Sequence, residues 1–417
     1  MQHGFKLCSG RWALSSLLLS SLLWAGPAAA QVQDITATFR PNPSSPDQNR
    51  FTNTTPVSGY CASYPGQCAV NNTFSIRLPI RAHSSGPLPA QPSDPRQSAL
   101  WKAPAQWRQV TVTNAMGDQE TVEVRISGVG SRYVLDRSVV ELVGGGVTPI
   151  AGHNLLWRSS WVNAPAPCGY SGVGYYGNSY YQFLWRTPVE QSCVKVAQFE
   201  IPSMSYEYID MAYELRTPNP LGMPTGVYSG VLNYGIGPYQ DFDLGDIMLP
   251  TDSMLTLNFS LDVEHILKVE LPPGGDRVEL LPQGGWQAWL NQGRKPARLF
   301  RDQTFRIAAS SRFKMQLECG LVVGNTCGLR NKDGDEVPVQ VAVTLPYGLF
   351  DANDLPVNKR PLRLDGVGTE LFQPTRYVDN RPGTLHFSIE RNDVDGMLEH
   401  PGTTYSGSAT VIWDSEV

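Results

Sequence analysis

Five histidines follow residue 30, and none of them has a spacing typical of a nucleophilic or metal-binding site. No G-x-S-x-G motif is present, in which a strained turn exposes a nucleophilic serine. We therefore expect the histidines to lie at the surface or at strand edges; they are His83, His153, His265, His386 and His400. Glycoside hydrolysis needs only two carboxylates brought together in space, so a secreted carbohydrate-active enzyme stays open as an alternative.

Two glycine- and aspartate-rich segments resemble cofactor or calcium motifs but lack what those motifs require. Gly172–Gly177 matches G-x-G-x-x-G, yet no strand precedes it and no helix pattern follows it. Asn392–Gly396 has part of a calcium loop, with Arg391 where the first acidic ligand belongs. We interpret both as loops, and Asn331–Asp335 likewise. No cofactor and no metal are predicted.

Aromatic residues are concentrated between positions 157 and 185, among many Gly, Ser and Asn residues. Tyrosine and tryptophan offer large contact areas at little rotamer cost, and their rings stack on sugars or peptides. The same residues would equally fill a sandwich core, and that alternative stays open. The candidate ligand-binding residues are Trp157, Arg158, Trp161, Tyr170, Tyr175, Tyr176, Tyr180 and Tyr181.

Cysteine spacing points to an oxidising compartment. Six cysteines follow the first thirty residues, in three couples that are close in sequence: Cys61 with Cys68, Cys168 with Cys193, and Cys319 with Cys327. Six cysteines allow fifteen pairings, and proximity alone favours this one because short loops close most easily. No couple has C-x-x-C spacing, so disulfides are predicted rather than a metal site.

The first thirty residues have the pattern of a secretory signal peptide. Lys6 and Arg11 precede an apolar run, and Ala28–Ala30 supplies small residues before a cleavage point at Gln31. The formal net charge of −5 gives no basic footprint for a nucleic acid, and none is expected as a partner. We therefore predict an exported protein.

Composition and patterning predict an all-β fold. Glycine and proline number 39 and 33, and charged residues make up only 17% of the chain. Short stretches with period-two alternation recur between turn residues, which favours antiparallel sandwiches. Two segments, Pro224–Gly230 and Pro401–Gly407, resemble each other and indicate two related units. The predicted organisation is a signal peptide at 1–30, a first domain at 31–247, a linker at 248–253 and a second domain at 254–417.

The second half of the chain resembles the pilin domain of the CfaE/CblD-like group of chaperone–usher fimbrial tip adhesins. The resemblance rests on the order of several segments rather than on one motif. They are Leu255–Phe259, Leu280–Trp286, the couple Cys319 and Cys327, and Tyr405–Gly407 leading into Val411–Ser415. The signal peptide and the two earlier cysteine couples also fit, so the resemblance spans most of the exported chain.

This resemblance implies two immunoglobulin-like β-sandwiches in tandem, the second lacking its last strand and accepting a donor strand in a hydrophobic groove. The implied groove residues are Leu255, Leu257, Phe259, Tyr405, Val411 and Trp413. The implied partners are a periplasmic chaperone that grips the carboxylate of Val417, an outer-membrane usher and an adjacent pilin subunit. Receptor residues are not carried over, because Leu232–Gln240 has none of the basic side chains that the family uses there.

The sequence thus predicts a non-enzymatic tip adhesin and pilus assembly initiator, exported through the periplasm to the cell surface. Its first domain would bind a host or surface receptor, with a glycan among the candidates. A free-standing lectin-like module is a further alternative, which would need no chaperone. A carbohydrate-active enzyme is the alternative from another functional class.

Overall fold

Apolar and polar side chains alternate along most strands, and the apolar ones gather into two separate large cores. A computed structural model describes residues 30–415, and its longest helix in that range, Pro149–Leu156, has eight residues. The predicted all-β, two-sandwich fold is confirmed. Most of the predicted signal peptide lies outside the described residues. Within them, no helix has the length and apolar character needed to cross a membrane.

The first core is enclosed by fifteen strands and four short helices. The strands are β1 Ala30–Phe39, β2 Thr52–Asn53, β3 Ser75–Leu78, β4 Ala82–Ser84, β5 Ala99–Trp101, β6 Arg108–Thr113, β7 Gln119–Leu135, β8 Gly169–Tyr170, β9 Tyr180–Arg186, β10 Cys193–Lys195, β11 Met204–Tyr206, β12 Ile209–Arg216, β13 Gly226–Gly235, β14 Met248–Pro250 and β15 Met254–Val263. The helices are α1 Tyr60–Ser63, α2 Pro65–Val70, α3 Val139–Leu142 and α4 Pro149–Leu156.

One long, curled sheet provides most of this enclosure. Its main path runs β14-β4-β11-β7-β6-β13-β15-β1-β2, and β12, β3, β9 and β8 branch from it. The strand β15 pairs antiparallel with β13 along ten residues and parallel with β1 along ten. Leu255, Leu257 and Phe259 on β15 are buried in this first core. The first sandwich is therefore closed by its own last strand.

This placement corrects the predicted domain boundary. The predicted linker 248–253 lies inside the first sandwich, because β14 pairs with β4 and the next strand, β15, pairs with β13. Burial changes from the first core to the second between Val263 and Leu267. Period-two alternation shows that one face of a strand is buried, but it does not show which core buries it. The sequence pattern therefore places β15 in the second sandwich, whereas it belongs to the first.

The second core is enclosed by twelve strands and two helices. They are β16 Leu267–Glu270, β17 Leu281–Pro282, α5 Gln287–Gln292, β18 Leu299–Ala309, β19 Phe313–Cys319, β20 Val322–Val323, β21 Thr326–Arg330, β22 Glu336–Thr344, β23 Leu349–Asp351, β24 Arg360–Leu362, β25 Phe372–Pro374, β26 Val378–Ile389, α6 Arg391–Met397 and β27 Ala409–Ser415. One sheet follows β16-β18-β26-β22-β21-β20, and the facing sheet follows β23-β25-β19-β27.

Three disulfides join the cysteine couples that proximity predicted. They are Cys61–Cys68, Cys168–Cys193 and Cys319–Cys327. The first two lie in the first sandwich, and the third links the end of β19 to β21 across the two sheets of the second. Each couple closes a loop within one sandwich, as expected for local disulfides.

Candidate functional site

The last strand of the second sandwich is paired on one side only. β27 pairs antiparallel with β19 from Ala409 to Ser415, and among residues 30–415 no strand pairs with its other edge. Its apolar side chains are correspondingly half exposed, Val411 and Trp413 among them. An exposed strand edge presents a row of backbone N–H and C=O groups that can pair with another chain. β27 is therefore an open edge beside an incompletely covered core.

A cavity of about 1050 Å³ lies beside this edge. Its floor is formed by buried side chains of the facing sheet, including Leu299, Phe305 and Ile389. Val411 and Trp413 of β27 line its wall, and the ring of Trp413 lies 4.9 Å from that of Phe305. The cavity is thus the interior of the second sandwich, opened where a further strand would cover it.

Only part of the predicted donor-strand groove lies here. Three of the predicted groove residues, Tyr405, Val411 and Trp413, line the cavity. The other three predicted groove residues, Leu255, Leu257 and Phe259, do not, because β15 completes the first sandwich instead. Val417, the predicted chaperone contact, lies outside the described residues.

The opposite wall of the cavity was not predicted from the sequence. It is formed by the chain from the end of β16 through α5, which contributes Leu271, Val278 and the ring pair Trp286 and Trp289, 6.0 Å apart, with Trp289 on α5 itself. On α5, Leu290 is 71% exposed. This segment has little regular alternation, so its apolar residues gave no strand signal that would have linked them to β27.

The candidate ligand-binding aromatics divide into a buried group and an exposed group. Trp157, Trp161 and Tyr181 are at most 3% exposed and belong to the first core, so they do not contact a ligand. Tyr170, Tyr175 and Tyr176 are 41–60% exposed. A run of aromatic residues does not by itself show which of its members face the core. Here Trp157 and Trp161 face it.

Two further candidates remain at or near the surface. Tyr180 is half exposed, and its ring lies 5.9 Å from that of Tyr175. Arg158 adopts a left-handed backbone conformation with φ 62° and donates to Gln198 Oε1 at 3.2 Å. Arg158 is thus engaged with its own chain rather than with the exposed tyrosines.

A second disulfide loop packs against the exposed tyrosines. The hydroxyl of Tyr60 donates to the carbonyl of Val173 at 2.8 Å, and Asn71 Nδ2 donates to the carbonyl of Ser171 at 2.9 Å. These bonds join α1 and α2 to the loop of residues 171–176. Tyr64 and Val70, the latter 88% exposed, are thereby brought to the same side of the sandwich.

We call this combined area the tyrosine surface, and it consists of Tyr64, Tyr170, Tyr175, Tyr176 and Tyr180. Burial raises the pKa of Tyr64, and the proximity of Tyr175 raises it further. Tyr64 could not be linked to the others from the sequence because it lies about a hundred residues away from them. Two basic side chains lie beside these rings: Arg132 is over the ring of Tyr180 at 5.3 Å, and Arg186 donates to the carbonyl of Tyr170 at 3.0 Å. Exposed aromatic rings with polar neighbours suit stacking against a ligand.

Polar groups are buried directly beneath the tyrosine surface. His153, expected at the surface or a strand edge, is 0% exposed. Lys195 is also buried; its ammonium donates to Ser159 Oγ at 2.7 Å and to the carbonyl of Ser160 at 3.0 Å. Burial lowers the pKa of Lys195 to about 8. The hydroxyl of Ser160 in turn lies 2.9 Å from that of Tyr181.

One arrangement in the second sandwich has the connectivity of a hydrolase triad. His386 Nδ1 lies 2.8 Å from Asp302 Oδ1, and His386 Nε2 lies 2.8 Å from Thr344 Oγ1. The Thr344 oxygen also accepts the backbone N–H of Lys359 at 3.0 Å. These side chains follow a cross-strand ladder over β18, β26 and β22, outside the residues that line the cavity. The Thr344 hydroxyl is thereby engaged in holding the turn at Lys359.

Comparisons with known proteins add little. No family model and no curated protein matches the chain. Among solved structures, the chain is similar to the CsuC–CsuE chaperone–tip adhesion subunit pre-assembly complex from the archaic chaperone–usher Csu pili of Acinetobacter baumannii. The identity is 11%, the alignment covers 93% of this chain and 98% of that one, and the TM-score is 0.22. A similarity with a TM-score this low supports no conclusion about the function of this chain.

Proposed function

We propose that this protein is the tip adhesin and assembly initiator of a chaperone–usher pilus. The observation that carries the proposal is the open edge of β27 beside an exposed core, at a position where the first sandwich has its closing strand β15. The class of pilus follows from the resemblance of the second half to pilin domains of fimbrial tip adhesins.

Hydrogen-bond register shows that the two sandwiches have equivalent strands. In the first, Ser229 of β13 pairs with Thr113 of β6. In the second, Ser406 pairs with Arg330 of β21. Each serine follows the tyrosine of the repeated segments Pro224–Gly230 and Pro401–Gly407. The chain leading into β27 is therefore the counterpart of β13.

The hairpins beside these strands agree with this equivalence. Asn114 accepts the backbone N–H of Asp118 at 2.9 Å, and Asn331 accepts that of Asp335 at 2.9 Å. The strands flanking both turns pair in the same register, Val110 with Val122 in β6 and β7, and Cys327 with Val339 in β21 and β22. β15 pairs with the edge of β13 that faces away from β6. The equivalent edge of β27 has no partner strand among residues 30–415.

A polypeptide strand from another protein is the occupant that fits this edge. Strand addition satisfies the free backbone groups, and alternate apolar side chains enter the exposed core. In the proposed pathway, a periplasmic chaperone supplies the strand first, and an adjacent pilin subunit replaces it at the outer-membrane usher. The protein itself is non-enzymatic and reaches the pilus tip at the cell surface.

The first sandwich is the adhesin half in this proposal. It is closed by β15 and so needs no donor, which leaves its surface free for recognition. The tyrosine surface is its candidate receptor site, because it combines exposed rings with neighbouring polar loops. A host or surface receptor with a stackable face, such as a glycan, fits this chemistry.

Co-expression with the candidate chaperone tests the proposal. We expect residues 31–417 to accumulate in the periplasm at a higher level with the chaperone and to be recovered mainly bound to it, with a smaller unpartnered fraction. Val411→Asp places a charge in the groove and should abolish recovery of the complex. Thr410→Asp is the matched control, because Thr410 is exposed on the same strand and does not line the cavity.

The contrary result would be equal recovery of the chain with and without the chaperone, no complex between the two, and no effect of Val411→Asp. That result would favour the free-standing lectin-like module.

A further inference from the structure

A buried chain of hydrogen bonds supports the tyrosine surface from below. Trp157 Nε1–H donates to the hydroxyl of Tyr133 at 3.1 Å, and that hydroxyl lies 2.6 Å from His153 Nδ1. His153 Nε2 lies 2.8 Å from the carbonyl oxygen of Gly177. Gly177 also donates its N–H to the carbonyl of Tyr180 at 2.9 Å, within the turn between the exposed tyrosines. This series of hydrogen bonds therefore links helix α4 and strand β7 to that turn.

The carbonyl of Gly177 determines where the hydrogens lie in this series of hydrogen bonds. A carbonyl only accepts, so Nε2 of His153 must carry the hydrogen. In a neutral imidazole Nδ1 is then an acceptor, and it receives the hydroxyl hydrogen of Tyr133. The Tyr133 oxygen in turn accepts Trp157 Nε1–H. Every donor in the series therefore has an acceptor, and only the neutral form of His153 allows this pairing.

We infer that His153 is a positioning residue for the tyrosine surface: in its neutral form it ties the turn at Gly177 to Tyr133 of β7, and in acid that tie breaks at Tyr133, so that the turn is held less firmly. The effect on adhesion rests on the proposed function, whereas the effect on the order of the turn does not.

Tyrosines surround His153, and within residues 30–415 it forms no salt bridge. Its ring faces Tyr133 from β7, Tyr181 from β9 and Tyr176 from the loop, with ring centroids 5.7, 5.4 and 6.3 Å away. From α3, Val139 packs against α4 at Gly152. Burial, the largest effect, lowers the pKa of His153 below its usual value, and the bond to Gly177 opposes this in part.

Protonation would leave one buried hydrogen without an acceptor. A hydrogen on Nδ1 would point at the Tyr133 oxygen, which already accepts Trp157 Nε1–H. The hydroxyl hydrogen of Tyr133 would then need a new acceptor, and among the described residues Tyr133 has no other hydrogen-bond partner. A fully buried, unsatisfied phenol is unfavourable, so the chain is expected to break at this point.

The direction of the pH effect follows from the lowered pKa. Folded His153 binds fewer protons than the unfolded chain below about pH 6.5. Its stabilising contribution is therefore complete above that pH and is lost progressively as the pH falls towards the lowered pKa of the folded state. The order of the turn should decline over the same interval.

Nuclear magnetic resonance of the full exported chain, with labelled glycine and histidine, gives a readout that needs no ligand. We expect the amide signals of Gly172, Gly174 and Gly177 to shift or broaden between pH 7.5 and pH 5, with the midpoint of the His153 ring. His153→Gln keeps one donor and one acceptor without a titrating charge. It should retain the neutral-pH signals and abolish the transition.

His265→Gln is the matched control. His265 is also held by a carbonyl, that of Met223 at 2.8 Å from Nε2, and burial also lowers its pKa, but it lies at the junction of the sandwiches. The glycine transition should persist in this variant. Glycine signals that do not follow the His153 ring in the unmodified chain would overturn the inference, whether or not His153→Gln folds. The same transition in folded His153→Gln would also overturn it.

Retention on cross-linked dextran beads forms a second arm over the same pH range. Loss of retention in acid for the unmodified chain, but not for His153→Gln, would support the inference. Absence of retention at every pH would count against dextran-like glycans as the receptor class, and the glycine signals would still decide the role of His153. The two failures are therefore distinguishable.

Discussion

The two sandwiches of this protein have the same central strands but end differently. In the first, β13 is followed by β15, which pairs with it along ten residues and buries Leu255, Leu257 and Phe259. In the second, β27 is the last described strand, and its outer edge is unpaired among residues 30–415. The addition or omission of one strand therefore separates a closed core from an open groove.

Equivalent residues show the consequence of that strand directly. Tyr228 on β13 is 0% exposed, whereas its counterpart Tyr405 is half exposed and lines the cavity. Gly230 and Gly407 are also counterparts: a Cβ on either would lie within 2.5 Å of a backbone oxygen on the neighbouring strand, Thr111 O or Gly328 O. The two backbones thus approach each other closely in both sandwiches, and the sandwiches differ in whether a further strand covers this one.

Alanine at the paired tyrosines should give the largest contrast. Truncation of a buried aromatic costs about 3–5 kcal/mol, so we expect Tyr228→Ala to lower the free energy of unfolding of the first sandwich by that amount. Tyr405→Ala should cost much less in the chain without a partner, because its side chain is already partly in water. Urea unfolding followed separately for each sandwich checks this.

The comparison would fail if the two substitutions were equally costly in the unpartnered chain. It would be sharpened if Tyr405→Ala became costly only when a donor strand is bound, because the groove is then covered.

An appended copy of β15 should close the second sandwich. Residues 254–263, joined after Val417 through a flexible Gly-Ser linker, supply alternating apolar residues in cis. Short flexible linkers give effective concentrations in the millimolar range. A strand at a hundred times its dissociation constant stabilises its acceptor by about 2.7 kcal/mol. The melting temperature of the second sandwich should rise accordingly.

The control carries the same linker and strand with its inward-facing leucines, phenylalanine and valine replaced by serine. An equal rise in melting temperature with this control would mean that the groove does not select an alternating apolar strand.

The sequence predicted the strand content well because alternation and turn residues are local signals. The placement of β15 was not predictable in this way, since Leu255, Leu257 and Phe259 suit the core of either sandwich equally. The echo between Pro224–Gly230 and Pro401–Gly407 was visible, but only hydrogen-bond register shows that it marks equivalent strands. Disulfide pairing followed from proximity, because each loop is short.

The candidate sites were predicted in part for similar physical reasons. Tyr175 and Trp161 belong to one aromatic run, yet one is 60% exposed and the other 0%. Which of them faces the core depends on β7 and β9, which pair across a long sequence separation. His153 gave no signal at all, because its partners Tyr133 and Gly177 lie on different elements.

The tyrosine surface and the groove should act independently. Tyr175→Ala should weaken adhesion by about 2 kcal/mol, roughly thirtyfold in affinity, if Tyr175 is an interface anchor. It should leave the melting temperature and chaperone binding unchanged. Tyr181→Ala is the buried comparison and should lower the melting temperature. Adhesion assays and thermal melts on both variants test this, and parallel losses of adhesion and stability for Tyr175→Ala would make that loop structural.

The buried Lys195 gives an effect that is confined to the first sandwich and to alkaline pH. Burial lowers the pKa of Lys195 to about 8, so between that pH and about 10.4 this side chain binds more protons in the unfolded chain than in the folded one. The contribution of Lys195 to the free energy of unfolding should therefore rise with pH over this interval, while buried tyrosines whose pKa is raised by burial, such as Tyr206, oppose the rise towards its upper end. Lys195→Met should remove the Lys195 contribution alone. An unchanged pH dependence in the variant would contradict the assignment.

Hydrogen exchange measured by mass spectrometry tests the central claim most directly, because it reports on strand pairing in both sandwiches at once. In the full exported chain without a partner, amides of β13 and β15 should be protected while those of residues 403–413 exchange faster. A synthetic peptide with the sequence of residues 254–263 should slow exchange at residues 403–413 and leave β13 unchanged. Equal protection of residues 403–413 and β13 without any partner, or no effect of the peptide, would contradict the account of an open second sandwich.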